Sequence, residues 1–518
     1  MTKTRSTDQG LGRARQAAGN GSGGVRRPWP LVLLAALLVA LAVPAALLVA
    51  PGFLGPEPPA PAPPAPAWQQ VPTALSTVPG LAPPDGSAPV PLPSAVSAQL
   101  EPLLTADGGG TFTAVVQDAL TGQVLFDRGG SEGRVPASNM KLLAAVAALR
   151  VLGPEHTFAT RVVAGPAPGQ VVLVGGGDVL LGPGGSKKDQ VMGHAGLATL
   201  AAQAVEALQT GGATGEIKVL VDDSLFSGPA LNPAWEPGDV AAGEVAPLYP
   251  LALNSARYDP AVTSGPRPQD AAMTAAEEFA AGLRAAGAAA GLTVAAAVER
   301  LPQPAAGTSA APARTTTPAR PEGEGTSQPV VLGEVQSATV AEQVNLMLQD
   351  SDNYLAEALG RLTALADGLP GSYDGATAAV GAQLAAAGLA AEGMKLVDVC
   401  GLAMGNQVPA RQFSEVVRAI TSGADTRLRS ALDGFPVAGL SGTLDTRYGD
   451  AATARGAGLV RAKTGTLNTV LALSGYVVDA DGRLLAFSFI GNGLAPGAAG
   501  NKEALDRAAT ALAGCGCR

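Results

Sequence analysis

Three cysteines, two histidines and only 4% aromatic residues are spread over 518 positions. Cys400, Cys515 and Cys517 are too few for a disulfide framework. His156 and His194 stand at no ligand spacing with them, so no zinc signature exists and neither a metal nor a cofactor is expected. A bond between Cys515 and Cys517 would close a very tight loop, so the pair reads as incidental thiols in a frayed tail. Charge is also scarce, at 15% of residues and a net of −9. Within the first 30 residues Lys3, Arg5, Arg13, Arg15, Arg26 and Arg27 face only Asp8, so the rest of the chain is more acidic than the net figure. Such a chain offers no clustered Lys and Arg to meet a phosphate backbone, which excludes nucleic acid as a partner. In contrast, 67 glycines and 42 prolines imply long loops and linkers, in a chain long enough for two or three domains.

No charged residue occurs from Pro28 to Pro56, and Leu31 to Ala50 is an apolar run of the length a helix needs to cross a bilayer. Arg26 and Arg27 precede it and no basic residue follows for a long way. The positive-inside bias therefore predicts a cytoplasmic basic tail over 1–27, a transmembrane helix or signal anchor over 28–54, and everything later outside the cytoplasm. The protein is then single-pass at the cell membrane, or secreted if the segment is cleaved near Ala45 and Ala46. Residues 55–97, rich in Pro and Ala, read as an extended spacer.

Beyond the spacer, Thr111–Val116 and Gln123–Asp127 flank a turn and predict an antiparallel hairpin. A helix follows, with Pro136 near its start, leucines at helical spacing from Leu142 to Leu152, and Gly153 as its stop. Residues 166–295 mix short strands (Val171–Val174, Ile217–Val221) with Gly-rich turns and Ala-rich helices, and 303–329 have no periodicity. An apolar helical face spans Tyr354 to Leu362. Strands Thr469–Val478 and Arg483–Ile490 then bracket an Asp-Gly turn, and Ala504–Ala513 reads as a closing helix. Strands at both ends with helices between them predict one α+β domain (98–165 and 330–518) interrupted by an inserted region over 166–329.

Three short constellations carry chemistry. In Ser138-Asn139-Met140-Lys141 the i,i+3 spacing puts the lysine amine within reach of the serine hydroxyl on one helix face. A lysine whose pKa is lowered can serve as base for a serine nucleophile, and the helix N-terminus favours developing negative charge. Ser351-Asp352-Asn353 precedes a helix. Residues two apart share no helix face, so a turn that points both Ser351 and Asn353 into a cleft is the better setting. In Lys463-Thr464-Gly465-Thr466, strand alternation sets Lys463 and Gly465 on one face and both threonines on the other. A strand edge with a small residue lets an extended peptide pair alongside, and a lysine there attracts a carboxylate. Only eight of the 34 basic side chains are lysine. Two of them sit in these constellations, where arginine could not act as a base.

The ordered set SxxK, SxN and KTG resembles that of penicillin-binding proteins and class A β-lactamases. More narrowly, the chain resembles the D-alanyl-D-alanine carboxypeptidase/endopeptidase family of low-molecular-mass class C penicillin-binding proteins, of the serine peptidase S13 type. The supporting stretches run in family order: Leu152–Phe158, Gly175–Asp178, Val221–Phe226, Ala356–Leu359 and Pro436–Leu444. The resemblance implies a transpeptidase/β-lactamase-like domain, an antiparallel sheet flanked by helices, split between the first two motifs by a large insertion. It also implies a serine D-Ala-D-Ala carboxypeptidase, with cross-link endopeptidase action undistinguished from it, that acts on peptidoglycan peptides and is covalently inhibited by β-lactams. Ser138 would be the nucleophile and Lys141 its base. Ser351 would relay a proton to the leaving amine, Lys463 supply positive potential, and Asn353, Thr464, Gly465 and Thr466 bind substrate. A serine β-lactamase and a non-catalytic wall-binding scaffold are the alternatives. One departure stands out: Cys400-Gly401-Leu402-Ala403 replaces the usual Ser-Gly-Leu-Ser, which removes two hydroxyls and puts local hydrogen bonding in doubt. Gly129-Gly130-Ser131-Glu132-Gly133 matches GxSxG, but a loop and Pro136 follow it instead of a helix, and Gly175–Gly177 lacks the spacing of a nucleotide-binding loop.

Overall fold

A stretch apolar on every side, from Leu142 to Leu149, has to be buried all round, and the fold is arranged about it. The computed structural model describes residues 86–302, 329–389 and 393–517. The expected basic tail, membrane segment, most of the spacer and residues 303–328 lie outside these. Among the described residues no helix is long and apolar enough to cross a membrane.

In chain order, α1 (Pro93–Leu100) leads into β1 (Thr111–Asp118), β2 (Val124–Arg128) and the short β3 (Gly133–Arg134). A 3-10 turn, Ala137–Asn139, then runs into α2 (Met140–Val151). Next come β4 (Ala159–Ala164), β5 (Gln170–Val174), α3 (Leu197–Thr210), β6 (Glu216–Asp222), α4 (Pro237–Ala242), α5 (Ala271–Ala288), β7 (Thr293–Arg300) and β8 (Val331–Gln336). The helices α6 (Val340–Asp350), α7 (Asn353–Ala366) and α8 (Tyr373–Ala386) follow, then β9 (Val408–Pro409) and α9 (Ala410–Ser422). The chain closes with β10 (Arg461–Leu467), β11 (Val470–Val478), β12 (Leu484–Asn492) and α10 (Ala499–Ala513).

The first sheet has the order β10-β11-β12-β1-β2 and is antiparallel throughout. Strands from the two ends of the described part therefore meet in it, with β1 beside β12. One face packs against α2 and α6 to α9, the other against α1 and α10. Because both faces are covered, β12 is buried from Leu484 to Gly491 and reads as a nearly continuous apolar run. β10 lies at the edge, where its outer side is bridged to the Pro436–Val437 segment at Arg461 and Ala462 and carries no further strand beyond that.

The second sheet, β7-β6-β5-β4-β8, is mixed. β5, β6 and β7 pair in parallel, which requires crossovers; α3 and α5 supply helical links and fill its core. The pairing of β4 with β8 carries this sheet just outside the expected 166–329 boundaries. At the front, the folded part begins before the expected end of the spacer at 97. Pro93 is the first residue of α1, a position a proline tolerates, Ala88 is buried, and Arg483 reaches the carbonyls of Gly86 and Ala88. The tail corrects another expectation. Cys515 and Cys517 are bonded and buried in the core beneath α1, and Leu92 N–H donates to the Cys517 carbonyl. A tail packed this way is not frayed, so the two sulfurs meet.

Candidate active site

Ser138 sits in the 3-10 turn ahead of α2, half-buried, after an Ala137 in the left-handed region (φ 48). A non-glycine residue there is strained and persists only where its surroundings fix it. Two glycines do so by close approach: a Cβ on Gly401 would lie 1.9 Å from the Ala137 carbonyl oxygen, and one on Gly465 would lie 3.1 Å from Ser138 N. The edge strand β10 thus passes directly over the turn that carries the serine.

Lys141, the second residue of α2, is fully buried. Its Nζ lies 3.1 Å from Ser138 Oγ, 2.6 Å from Asn353 Oδ1 and 2.7 Å from the Cys400 carbonyl oxygen. Burial lowers its pKa, and the acidic neighbours Cys400, Asp398, Asp352 and Glu357 only partly oppose this. Lys463 on β10 is buried as well, donating to Ser351 Oγ at 2.9 Å and to the Thr464 carbonyl at 2.8 Å. Burial first, and then the charge of Lys141, hold its ammonium well below the usual lysine range.

The second constellation forms a corner. Ser351 caps α6 in the left-handed region (φ 58), Asp352 caps α7 by accepting Leu355 N–H, and Asn353 begins α7. That break between helices turns Ser351 toward Lys463 and Asn353 toward Lys141. The Asn353 amide is used at both ends, since Nδ2 donates to the Glu244 carbonyl at 3.0 Å. Thr464 is buried and shares a 2.7 Å hydrogen bond with Thr443, whereas Thr466 is exposed on the edge strand. Ser138, Lys141, Ser351, Asn353, Lys463, Thr464, Gly465 and Thr466 therefore come from one neighbourhood built by α2, the α6–α7 corner and β10.

Sequence reasoning missed several supports. Asp352, between the two motif residues, is held by Ser255 Oγ and by an ion pair with Arg257 at 2.8 Å. No pattern pointed to Arg257, whereas Thr443 lay in the noted Pro436–Leu444 stretch. Glu357, Asp398 and Cys400 bring three potential ligand atoms within 4.8 Å of one another. Their donor set is a poor cation site, because Asp398 already accepts from Trp235 Nε1, Asn406 Nδ2, the Cys400 thiol and the backbone of Gly401 and Ala403. Geometrically the neighbourhood offers a hydroxyl on a strained turn, an amine with lowered proton affinity against it, and above them an edge strand that is bridged to Val437 only at its start.

The D-Ala-D-Ala carboxypeptidase 3 (S13) family matches residues 96–304 and 317–512. A carboxypeptidase of Mycobacterium tuberculosis is 36% identical over 431 residues, covering 82% of this chain and 85% of the relative. A D-alanyl-D-alanine carboxypeptidase of Actinomadura sp. is 32% identical over 440 residues, 74% of this chain and 78% of its own. Among solved structures, penicillin binding protein 4 from Haemophilus influenzae matches with a TM-score of 0.58 at 20% identity, covering 81% of this chain and 98% of that one. The same protein complexed with a novel beta-lactam gives 0.54 at 19% identity. The likeness establishes the mixed α+β fold.

Proposed function

The chain belongs to the D-Ala-D-Ala carboxypeptidase 3 (S13) family, and from this premise we infer that it is a serine D-Ala-D-Ala carboxypeptidase acting on peptidoglycan stem peptides. The observation that carries the reading is the buried Lys141 amine, lowered in pKa and 3.1 Å from the Ser138 hydroxyl. In its neutral form Lys141 takes the Ser138 hydroxyl proton as Oγ bonds to the carbonyl carbon of the penultimate D-Ala. The backbone N–H groups of Ser138 and Thr466 face the oxyanion that forms. The proton held by Lys141 is relayed through the hydroxyl of Ser351, itself held by Lys463, to the amine as the C–N bond breaks, so D-Ala leaves and both Lys141 and Ser351 return to their starting protonation. Water then attacks the ester and returns the proton to Ser138 Oγ. The hydroxyls of Thr464 and Thr466 receive the terminal carboxylate, whose negative charge favours the protonated form of Lys463 beside it, with the peptide laid along the edge of β10 beyond its bridge to Val437.

A β-lactam presents a strained amide with a carboxylate in the same relation, so it acylates Ser138 in the same way; the Haemophilus relative with its bound beta-lactam supports this. The apolar run Leu31–Ala50 behind Arg26 and Arg27 supports an anchor that holds the enzyme at the outer face of the cell membrane. Mass spectrometry after incubation with benzylpenicillin, and separately with a peptide ending in D-Ala-D-Ala, tests the reading. A covalent adduct on Ser138 and release of D-Ala are expected. Label uptake by Ser138→Ala, or neither adduct nor D-Ala from the unaltered chain, would overturn it.

A further inference from the structure

Lys141 Nζ has three oxygen neighbours, Ser138 Oγ, Asn353 Oδ1 and the Cys400 carbonyl oxygen. An ammonium gives one hydrogen to each and has no lone pair. A neutral amine has two hydrogens and one lone pair. The amide and carbonyl oxygens can only accept, so they take the two hydrogens, and the lone pair is left for the Ser138 O–H. The base therefore works only if Asn353 and Cys400 hold their acceptors in place.

Both acceptors trace to one face of α7. Asn353 and Glu357 stand at i,i+4. Glu357 Oε1 accepts the N–H groups of Val399 and Cys400, each at 2.8 Å, and so clamps the peptide that ends in the Lys141 acceptor. Glu357 is fully buried, and its second oxygen, Oε2, is buried with no hydrogen-bond partner among the described residues. A neutral amide would accept the same two N–H groups without the cost of burying an ionisable group, so the carboxyl contributes something beyond the clamp.

We propose that Glu357 is a positioning residue for Lys141: its Oε1 fixes the Val399–Cys400 peptide so that the Cys400 carbonyl takes one hydrogen of the neutral amine. The proposal rests on the serine peptidase reading above. The groups around Glu357 are Asp398 and Cys400 on the loop before β9, Lys141 on α2, Tyr373 on α8 and Arg361 one turn further along α7. Burial, and then Asp398, push the Glu357 carboxyl up to about 7. Burial lowers the Lys141 pKa, Cys400, Asp398 and Asp352 oppose that most, and an ionised Glu357 adds a smaller push in the same upward direction. Loss of that charge therefore lowers the Lys141 pKa and frees the amine at lower pH.

The experiment measures the acylation rate of the full chain by labelled benzylpenicillin across pH, for the unaltered protein, Glu357→Gln and Glu357→Ala, with thermal unfolding of each. Glu357→Ala is expected to lose roughly 10- to 100-fold, because the Cys400 carbonyl drifts from the amine. Glu357→Gln keeps an acceptor for the clamp, so it recovers most of that rate and moves the acid limb to lower pH. Wild-type rates and limb in both variants would overturn the proposal, as would a Gln variant as slow as Ala with its limb unmoved. If Glu357→Ala does not fold, the limb of Glu357→Gln decides alone. Label uptake by Ser138→Ala would instead sink the peptidase reading and the proposal with it, in a variant that leaves Glu357 untouched.

Discussion

Replacing Arg257 with methionine tests whether the inserted region holds the active site together. Arg257 and Asp352 form an ion pair whose side chains are 5% and 1% exposed, and Asp352 accepts further bonds from Ser255 Oγ and Leu355 N–H. Ser255 is the middle of three consecutive left-handed residues, Asn254 to Ala256. Backbone bonds to Leu181 and Val179 and the Arg267 guanidinium on the Ser255 carbonyl keep this strained turn in place. Removing one partner of a buried pair leaves a charge without compensation, at about 3–5 kcal/mol, a large share of a total stability of about 5–15 kcal/mol. Thermal unfolding of Arg257→Met should shift down by roughly 5–10 °C. Pairing it with Asp352→Asn should recover part of the loss, with a coupling of about 0.5–3 kcal/mol. Since Asp352 lies between Ser351 and Asn353, acylation by penicillin should fall by about 100-fold even where the variant is folded. An unfolding midpoint within a degree of the unaltered protein, with acylation within about twofold, would refute this account of the corner.

Asp118 and Arg483 form another buried pair, in the first sheet. Burial alone would raise the Asp118 pKa, but Arg483, Thr121 and the Leu120 N–H outweigh it and hold it lowered; its contribution is therefore present above the ordinary carboxylate value and lost as pH falls through the lowered one. The stability gap between the unaltered chain and Asp118→Asn, read by thermal unfolding at several pH values, should narrow below about pH 4; a gap independent of pH would refute it. For the anchor, the full chain should sediment with membranes while a chain lacking residues 1–54 stays in the soluble fraction, and equal partitioning of the two would remove the ground for it.

What the sequence made legible was whatever lies close together along the chain. The β1–β2 and β11–β12 hairpins were readable because their turns are short and their strands apolar. The helix after Pro136 was readable because leucine spacing and a stop glycine coincide, and the three motifs because each fits within four residues. The parallel pairing of β5, β6 and β7 was not, because its register is set by helices packed across residues far apart, leaving only short apolar runs in the sequence. The mate of Asp352 was hidden for the same reason. Arg257 lies 95 positions away, and nothing in its own neighbourhood marks it. Cys515 and Cys517 were misjudged because their closeness in sequence suggested a frayed end, whereas burial beneath α1 is a tertiary effect.

The departure at Cys400-Gly401-Leu402-Ala403 can be weighed by asking which atoms of that loop the site uses. The Cys400 carbonyl serves Lys141 and its N–H serves Glu357; both are main-chain groups that survive any side chain. Its thiol turns the other way, toward Asp398 at 3.4 Å, where a hydroxyl would make a shorter bond to the same oxygen. Ala403 contributes its N–H to Asp398, and Asn406 secures the other oxygen while accepting Val397 N–H. Asp398 thus stays saturated without either hydroxyl. The doubt that the substitution raised about hydrogen bonding falls on the shell around Asp398 and leaves the backbone acceptor of Lys141 intact. Gly401 is different: its Cβ would strike the Ala137 carbonyl at 1.9 Å, so the glycine between the two altered positions is the one the nucleophile turn requires.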